Sequence, residues 1–415
     1  MVELLQGIRI VEASSFVAAP LCGLTFQQLG ADVIRIDPIG GGPDFFRWPL
    51  APSGLSFYWE GLNKGKRSIA IDLGRPEGRE LAVALVTRAG ANAGCFVTNY
   101  PAKGFLAHER LCERRRDLIT ARIAGSSDGR NAIDYTVNCA TGYPLMTGRP
   151  GEEDRPVNHV LPAWDLATGL TAAVALLAAL HRRKLTGEGR EIQVPLTNVA
   201  FNTLSALGNL GEVSTFDRDR ERYGNDIYGS FGRDFEAADG RRIMVVAITA
   251  RRWRGLVAAL ELQQEVAAIE GAHGVNLETD DGARFRHRAD LFALMEPRIA
   301  TRPFGDLVQA FDRHAVCWDE YSSVRGALRS DPRLSLANPI FERISHPSGE
   351  TYLASGFPGV EPGAERARVR PAPCLGAHTD EILAGELGLP DGEIGRLHDA
   401  GVVAAASEAL PGSRN

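Results

Sequence analysis

Over residues 1–200 the chain alternates short β-rich runs with helical ones, and this rhythm limits the fold more than any other feature. IRIVEA (8–13) reads as a strand. PLCGLTFQQLG (20–30) has helical spacing and stops at Gly30. ADVIRID (31–37) is a second strand, broken by Pro38 and the Gly40-Gly41-Gly42 run. RSIAIDL (67–73) is a third, and Pro76-Glu77-Gly78 opens the helix RELAVALVTRAG (79–90). AGCFVTNY (93–100) and LITARIAG (118–125) add further strands. Parallel strands need a crossover that is usually helical. The rhythm therefore predicts an α/β fold, a parallel sheet with helices on its faces.

The pattern changes after residue 215. FDRDRERYGND (216–226) is a charged linker. YGSFGRDFEAADGRRIMVVAIT (228–249) reads as a hairpin turning at Asp239-Gly240. Helical runs follow at 250–262, 288–300 and 304–314. The expected division is a large α/β domain over 1–215, a smaller α+β domain over 226–330, and a C-terminal segment over 331–415 that returns to the large domain. That last segment carries helix signals in HTDEILAGELG (378–388) and DGEIGRLHDAG (391–401).

Of 415 residues, 44% are hydrophobic and 24% charged, so a large core is available and disorder is not expected. A net charge of -6 argues against nucleic acid or an anionic membrane as the main partner. Cys22, Cys95, Cys112, Cys139, Cys317 and Cys374 form no CxxC pair, which removes support for a zinc ribbon or a thioredoxin motif and fits a reduced compartment. The opening MVELLQGIRIVEA lacks the basic region, apolar stretch and cleavage site of a secretory leader. The longest apolar run, Leu170 to Leu180, is too short to cross a bilayer. The expectation is a cytoplasmic protein without a membrane segment.

Several chemistries fail on the residues. Asp37 ends a strand, as the ribose-binding acid of a Rossmann unit would, but the turn before it, SSFVAAPLCG, holds no GxGxxG. There is no GxSxG around Ser14, Ser15 or Ser126. His108, His159, His181 and His314 have no ligand spacing, so no metal is expected.

Asp165 is different. It stands alone in NHVLPAWDLATGLTAAVALLAALHRRKLTGEG, at the mouth of a nearly pure apolar helix. One reading is a helix cap, because an acid there accepts backbone N–H bonds and suits the dipole. The other is a nucleophile that attacks a carbonyl and forms a covalent intermediate, with backbone N–H groups to hold an oxyanion. Spacing alone leaves both open.

Five blocks in order resemble the class III CoA-transferases: LQGIRIVEASSFVAAPLCGLTFQQLGADVIRIDPIGGG, NKGKRSIAIDLGRPEGRE, FVTNYPAKG, LPAWDLATGLTAAVALLAALHRRKLTGEGREIQVPL and APCLGAHTDEIL. The resemblance implies the fold of that family, a Rossmann-like large domain plus a smaller one, in an interlocked homodimer. It places the family's catalytic aspartate on Asp165. It also implies that Val17, Ala18, Ile71, Asp72, Leu73, Asn99 and Tyr100 line the CoA site, and makes Arg47 and Arg67 candidates for a substrate carboxylate. No cofactor is implied beyond the CoA carried by the substrate.

GLNKGKRSIAID, DYTVN, NHVLPAWD and YGSFGRDFEAADGRRIMVV resemble one branch in particular, which moves CoA within mesaconyl-CoA from the 1-carboxyl to the 4-carboxyl. The racemase branch needs a histidine before an aspartate; here Ile133-Asp134-Tyr135 offers none. The glycine-rich loop of the formyl-CoA branch is reduced to RYGNDIYG, and Pro38 stands where the family has an adenine-contacting arginine. Two alternatives stay open: an intermolecular CoA-transferase using another acyl-CoA and a dicarboxylate, and an acyl-CoA-binding protein without activity.

Overall fold

The computed structural model describes residues 4–406 except 102, 153, 360, 361 and 364. It divides into two compact units. The first holds residues up to Thr141, Val160–Ser214 and those from Pro332 onward; the second holds Gly142–His159 and Thr215–Asp331.

The first unit is built on β1 (Arg9–Ala13), α1 (Ala18–Gln28), β2 (Asp32–Asp37), α2 (Phe57–Asn63), β3 (Arg67–Ile71), α3 (Pro76–Thr87), β4 (Cys95–Thr98), α4 (His108–Arg114), β5 (Ile119–Ala124) and α5 (Asp134–Cys139). After α6 (Tyr143–Met146) come α7 (Ala163–Thr186), β6 (Arg190–Pro195), α8 (Leu196–Ala206) and α9 (Asn209–Phe216). The sheet order is β3-β2-β1-β4-β5-β6, all parallel, with Val11 of β1 opposite both Ile34 and Phe96. The α/β expectation therefore holds, and the strand runs named from the sequence all become strands of this sheet. The inner strands are buried along nearly their whole length, as strands covered on both faces are. Order reverses at the β1–β4 boundary, and a crevice opens above the carboxyl ends of strands at such a point.

One face of the sheet buries Val11, Ile34, Ile36, Ile69 and Phe96 against Val83 and Val86 of α3 and Leu111 of α4. The other carries α1 and α7, which pack on each other. Gly169 of α7 makes that approach possible, since a Cβ there would lie 2.6 Å from the Ala18 carbonyl oxygen.

By length and composition α7 could cross a membrane, unlike the shorter run expected from the sequence. Here it is a layer of the α/β unit. Ala172, Ala173, Leu176 and Ala179 are buried, and Arg183 near its end donates to the Gly94 carbonyl at 2.8 Å. Gly187 ends it in the left-handed region (φ 74).

The second unit has a three-stranded antiparallel sheet of β7 (Gly232–Glu236), β8 (Arg242–Val246) and β9 (Cys317–Glu320). The β7–β8 hairpin turns through Gly240 (φ 79), as the Asp-Gly pair indicated. Helices α10 (Ala250–Leu260), α11 (Gln263–His273), α12 (Asp281–Arg286), α13 (Arg288–Ala300) and α14 (Phe304–Arg313) close its core around Trp253, Leu256, Met295 and Phe311. α15 (Val324–Ser330) follows. Residues 142–159 group with this unit rather than with the rest of 1–215. The reason is Arg222, whose guanidinium donates to the carbonyls of Leu145 (2.7 Å), Arg155 (2.7 Å), Pro144 and Glu152.

From residue 332 the chain is back in the first unit. β10 (Phe341–Ser345) and β11 (Thr351–Ser355) form a hairpin, α16 (Thr379–Leu387) and α17 (Asp391–Asp399) cover the apolar face of the large sheet, and β12 (Val403–Ala404) adds an antiparallel edge to β3.

Candidate active site

A cavity of about 680 Å³ opens above the carboxyl ends of β1, β4, β5 and β6, where the strand order reverses. Its size lies within the roughly 300–1,000 Å³ of ordinary ligand pockets. Its wall is set by the turn leaving β1. Asn99, just after β4, locks that turn: its side-chain oxygen accepts the Ser15 N–H at 3.1 Å and its NH2 donates to the Ser15 carbonyl at 2.8 Å. Phe16 follows in the left-handed region (φ 66), a cost of order 1 kcal/mol or more for a bulky residue. Its N–H donates to the Asp44 carboxylate at 3.1 Å, which holds the conformation.

Asp44 in turn belongs to a buried ion network beneath the turn. Arg35 on β2 reaches Asp37 (2.7 Å), Glu12 (3.0 Å), Asp44 (3.3 Å) and the Ser14 carbonyl (3.0 Å). Lys66 reaches Glu12 at 2.9 Å and the Pro20 carbonyl at 2.8 Å. The three acids around Arg35 outweigh its desolvation and hold it firmly charged. Lys66 is fully enclosed, and burial pulls it down to about 8. Gly23 of α1 leaves the room the network needs, because a Cβ there would sit 1.8 Å from the Glu12 carboxylate.

Asp165 lies on the cavity wall, in the first turn of α7. It is not the helix cap. Position Pro162 offers no side-chain acceptor, and the exposed amides are taken by another acid: Asp134, on α5, accepts the N–H of Trp164 at 2.7 Å and of Asp165 at 3.0 Å through one carboxylate oxygen. The Trp164 ring N–H donates to the Asn138 side chain at 3.0 Å, which ties α5 to α7 a second time. With its backbone served in this way, the Asp165 carboxylate needs to do nothing for the helix. Burial, reinforced by the Asp134 charge and opposed by Arg47, raises its pKa to about 6. Above that pH it is ionised, more basic than an ordinary carboxylate, and poorly solvated, which are the attributes of an oxygen nucleophile.

Arg47 lines the same cavity. Its guanidinium lies over the rings of Tyr58 (5.3 Å) and Phe16 (5.8 Å), and it makes no ion pair with any carboxylate among the described residues. Tyr58, also on the wall, has its hydroxyl pushed up to about 12 by burial, with Asp165 and Asp44 adding to the effect and Arg47 opposing it. The cavity is thus lined by two carboxylates, of which Asp134 is engaged with the α7 amides, and by one cation held on aromatic faces.

Other expected residues distribute unevenly. Val17, Ala18 and Asn99 do line the cavity with Asp165 and Arg47. Asn99 spends its amide on Ser15, so its role is to shape the wall. Ile71, Asp72 and Leu73 line a separate hollow of about 460 Å³ with Pro38 and Ile39, at the ends of β2 and β3. Tyr100 packs against the apolar face under the sheet, and burial raises its hydroxyl to about 12. Arg67 is not among the residues lining the cavity. It is already paired with Asp32, Glu386 (2.8 Å) and Glu381 (3.0 Å). Asp134 and Tyr58 were not singled out as site residues by sequence reasoning. The signal for Asp134 was present: Leu161-Pro162 before the helix supplies no capping side chain, so an acceptor had to come from elsewhere.

The chain matches the model of CoA-transferase family III over residues 5–379. It is 47% identical over 410 residues to 2-methylfumaryl-CoA isomerase of Chloroflexus aurantiacus, covering 99% of this chain and 100% of that one. It is 29% identical over 336 residues to succinyl-CoA:mesaconate CoA-transferase of Haloarcula hispanica, covering 74% of this chain and 82% of that one. Among solved structures it is similar to a CAIB/BAIF family protein from Brucella suis, with a TM-score of 0.73, 25% identity, and coverage of 92% of this chain and 98% of that one. A match running from the entry to β1, through the α7 carboxylate and up to the start of α16, places this chain in CoA-transferase family III.

Proposed function

We propose that this protein transfers CoA within mesaconyl-CoA, from the 1-carboxyl to the 4-carboxyl, converting 2-methylfumaryl-CoA to 3-methylfumaryl-CoA. The observation that carries the reading is the pairing of Asp165 and Arg47 in one cavity. The first can attack an acyl group, and the second can hold the substrate's free carboxylate. The full-length similarity to an enzyme named for this isomerisation supports the choice of acid.

The steps balance without an external proton or electron. An oxygen of ionised Asp165 attacks the thioester carbonyl at C1; the C–S bond breaks, CoA leaves as thiolate, and a mixed anhydride remains. The thiolate attacks the aspartyl carbonyl of that anhydride, giving an aspartyl thioester and mesaconate. The 4-carboxylate attacks the aspartyl thioester and expels the thiolate again, forming a second anhydride. Thiolate attack at the C4 carbonyl yields the product and restores Asp165. Each step exchanges one acyl bond for another of similar energy, so the enzyme's task is to keep thiolate and acid together at high effective molarity.

A second reading is intermolecular transfer, favoured by the similarity to a transferase that uses free mesaconate as acceptor. Incubation of mesaconyl-1-CoA with excess isotopically labelled mesaconate separates the two. Unlabelled 4-CoA ester, absent with Asp165→Ala, supports the intramolecular route. Label in the product supports the intermolecular one. Full conversion by the variant would remove Asp165 from the chemistry. The proposal includes a homodimer, supported by the exposed apolar side chains Leu170, Val174, Leu185, Phe201, Leu207 and Leu210 on α7 to α9. Light scattering on the purified protein reads its mass directly.

A further inference from the structure

We propose that His273, His287 and Asp290, in the second unit, form a binding site for a divalent cation of the zinc class. His273 is the last residue of α11, His287 stands at the junction of α12 and α13, and Asp290 lies in the first turn of α13. His273 Nε2 is 3.1 Å from Asp290 Oδ2. The two imidazole rings lie 4.0 Å apart at 33°. One ligand atom from each of the three residues falls within 4.8 Å of the others.

A tetrahedral ion with bonds of about 2.0–2.2 Å separates its ligands by about 3.4 Å. The His273–Asp290 edge already has nearly that length. Bringing in the third ligand requires small rotations about side-chain bonds, and His273 and Asp290 are exposed and free to make them. A metal ion is bound by imidazole through an in-plane ring nitrogen, and the carboxylate would offset one of its two charges. The carbonyl end of α11, where Gly274 turns the chain at φ 64, adds negative potential beside His273. Two nitrogens and one carboxylate suit zinc, nickel or copper, whereas calcium and magnesium require sets of oxygen ligands. The remaining position is left to water. Joined in this way, α11 is stapled to the start of α13. The spacing of 14 residues between the histidines matches no local metal motif, which is why the sequence did not point to them.

The test uses the full chain after chelator treatment. Calorimetric titration with ZnCl2 should show one ion per chain for the parent protein. His273→Ala/His287→Ala and Asp290→Asn should each bind at least about tenfold more weakly, since even residues behind the ligands are worth 10–100-fold. Zinc should raise the melting temperature of the parent and not of the variants. The competing ligands are the exposed thiols Cys139, Cys317 and Cys374. Cobalt substitution distinguishes them, because a nitrogen and oxygen set gives visible ligand-field bands without sulfur-to-cobalt charge transfer. A charge-transfer band from thiolate, or zinc stoichiometry and affinity unchanged in the double variant, overturns the proposal. So does a parent protein that binds no zinc.

Discussion

Replacing Asp134 with asparagine separates the two things this residue does for α7. The amide oxygen can still accept the N–H groups of Trp164 and Asp165, now 2.7 and 3.0 Å from the carboxylate, and asparagine caps helices as well as aspartate does. The charge is lost. Asp165 sits at about 6 because of burial first and the Asp134 charge second, so removing the charge lowers it without restoring an ordinary value. A fall of about one unit is the expected scale. With a pKa of about 6, roughly a tenth of Asp165 is ionised at pH 5; with a pKa of about 5, about half is. The variant should therefore be about fivefold faster than the parent at pH 5 in kcat/KM, relative to its own plateau. The assay is a pH profile of CoA transfer from pH 4.5 to 8, read by chromatography of the two esters. Thermal melting of the variant should change little, whereas Asp134→Ala should cost about 1–3 kcal/mol through the lost cap and the buried amides left unpaired. An acidic limb for Asp134→Asn that coincides with the parent's, or lies above it, would refute the view that the Asp134 charge helps raise the Asp165 pKa.

Asp165→Asn should abolish transfer yet stabilise the fold at neutral pH. A carboxylate raised from 3.8 to about 6 binds its proton more tightly when folded, so its contribution to stability falls as pH rises between those values and stays low above them. The gain is at most about 3 kcal/mol and should vanish below pH 4 in denaturant titrations; a destabilised variant at pH 7.5 would contradict it. Arg67→Gln should retain full kcat/KM, with only a modest loss in melting temperature, because its partners are Asp32, Glu381 and Glu386. Arg47→Gln should lose activity on a dicarboxylate thioester far more than on an uncharged acyl-CoA; equal losses on both would argue against a carboxylate contact. Gly169→Ala should lower stability by about 1–3 kcal/mol and disturb the cavity, since its Cβ would meet the Ala18 carbonyl oxygen at 2.6 Å. Unchanged melting in that variant would mean α7 can shift away from α1 at no cost.

The sheet was legible because its rule is local. A run such as ADVIRID is rich in β-branched residues, bounded by glycine and proline, and long enough for a strand only. The order in which the strands pair was less so, since register depends on which apolar faces meet. The grouping of 142–159 with the second unit hangs on Arg222, a residue in a charged run that reads as solvated linker. Its burial comes from four carbonyl acceptors far away in sequence, which no periodicity records. The buried network around Arg35 was hidden for a related reason: Glu12, Arg35 and Asp37 sit within otherwise apolar strands, and their partners meet only across strands. The apolar run is shorter than α7 because it is bounded by Gly169 on one side and His181 on the other, while the helix continues through both.

The site shows the same division between local and distant signals. Asp165 was visible as an acid in an apolar helix, but its surroundings could not decide between cap and nucleophile while the helix amides had no other acceptor in view. Asp134 supplies that acceptor from 31 residues away. A helix N-terminus leaves several N–H groups to satisfy. If Asp165 served them, its oxygens would be held by donors, its pKa would fall, and it would be a weak nucleophile. Because Asp134 serves them, the Asp165 oxygens are left without those donors, and burial together with the Asp134 charge raises the Asp165 pKa. One substitution of roles thus stabilises the helix and raises the basicity of the acid beside it. Proline at position 162 takes part, since it can neither cap with a side chain nor donate an N–H of its own. The segment VLPAWD is best understood as a helix start that leaves its own first acid unused.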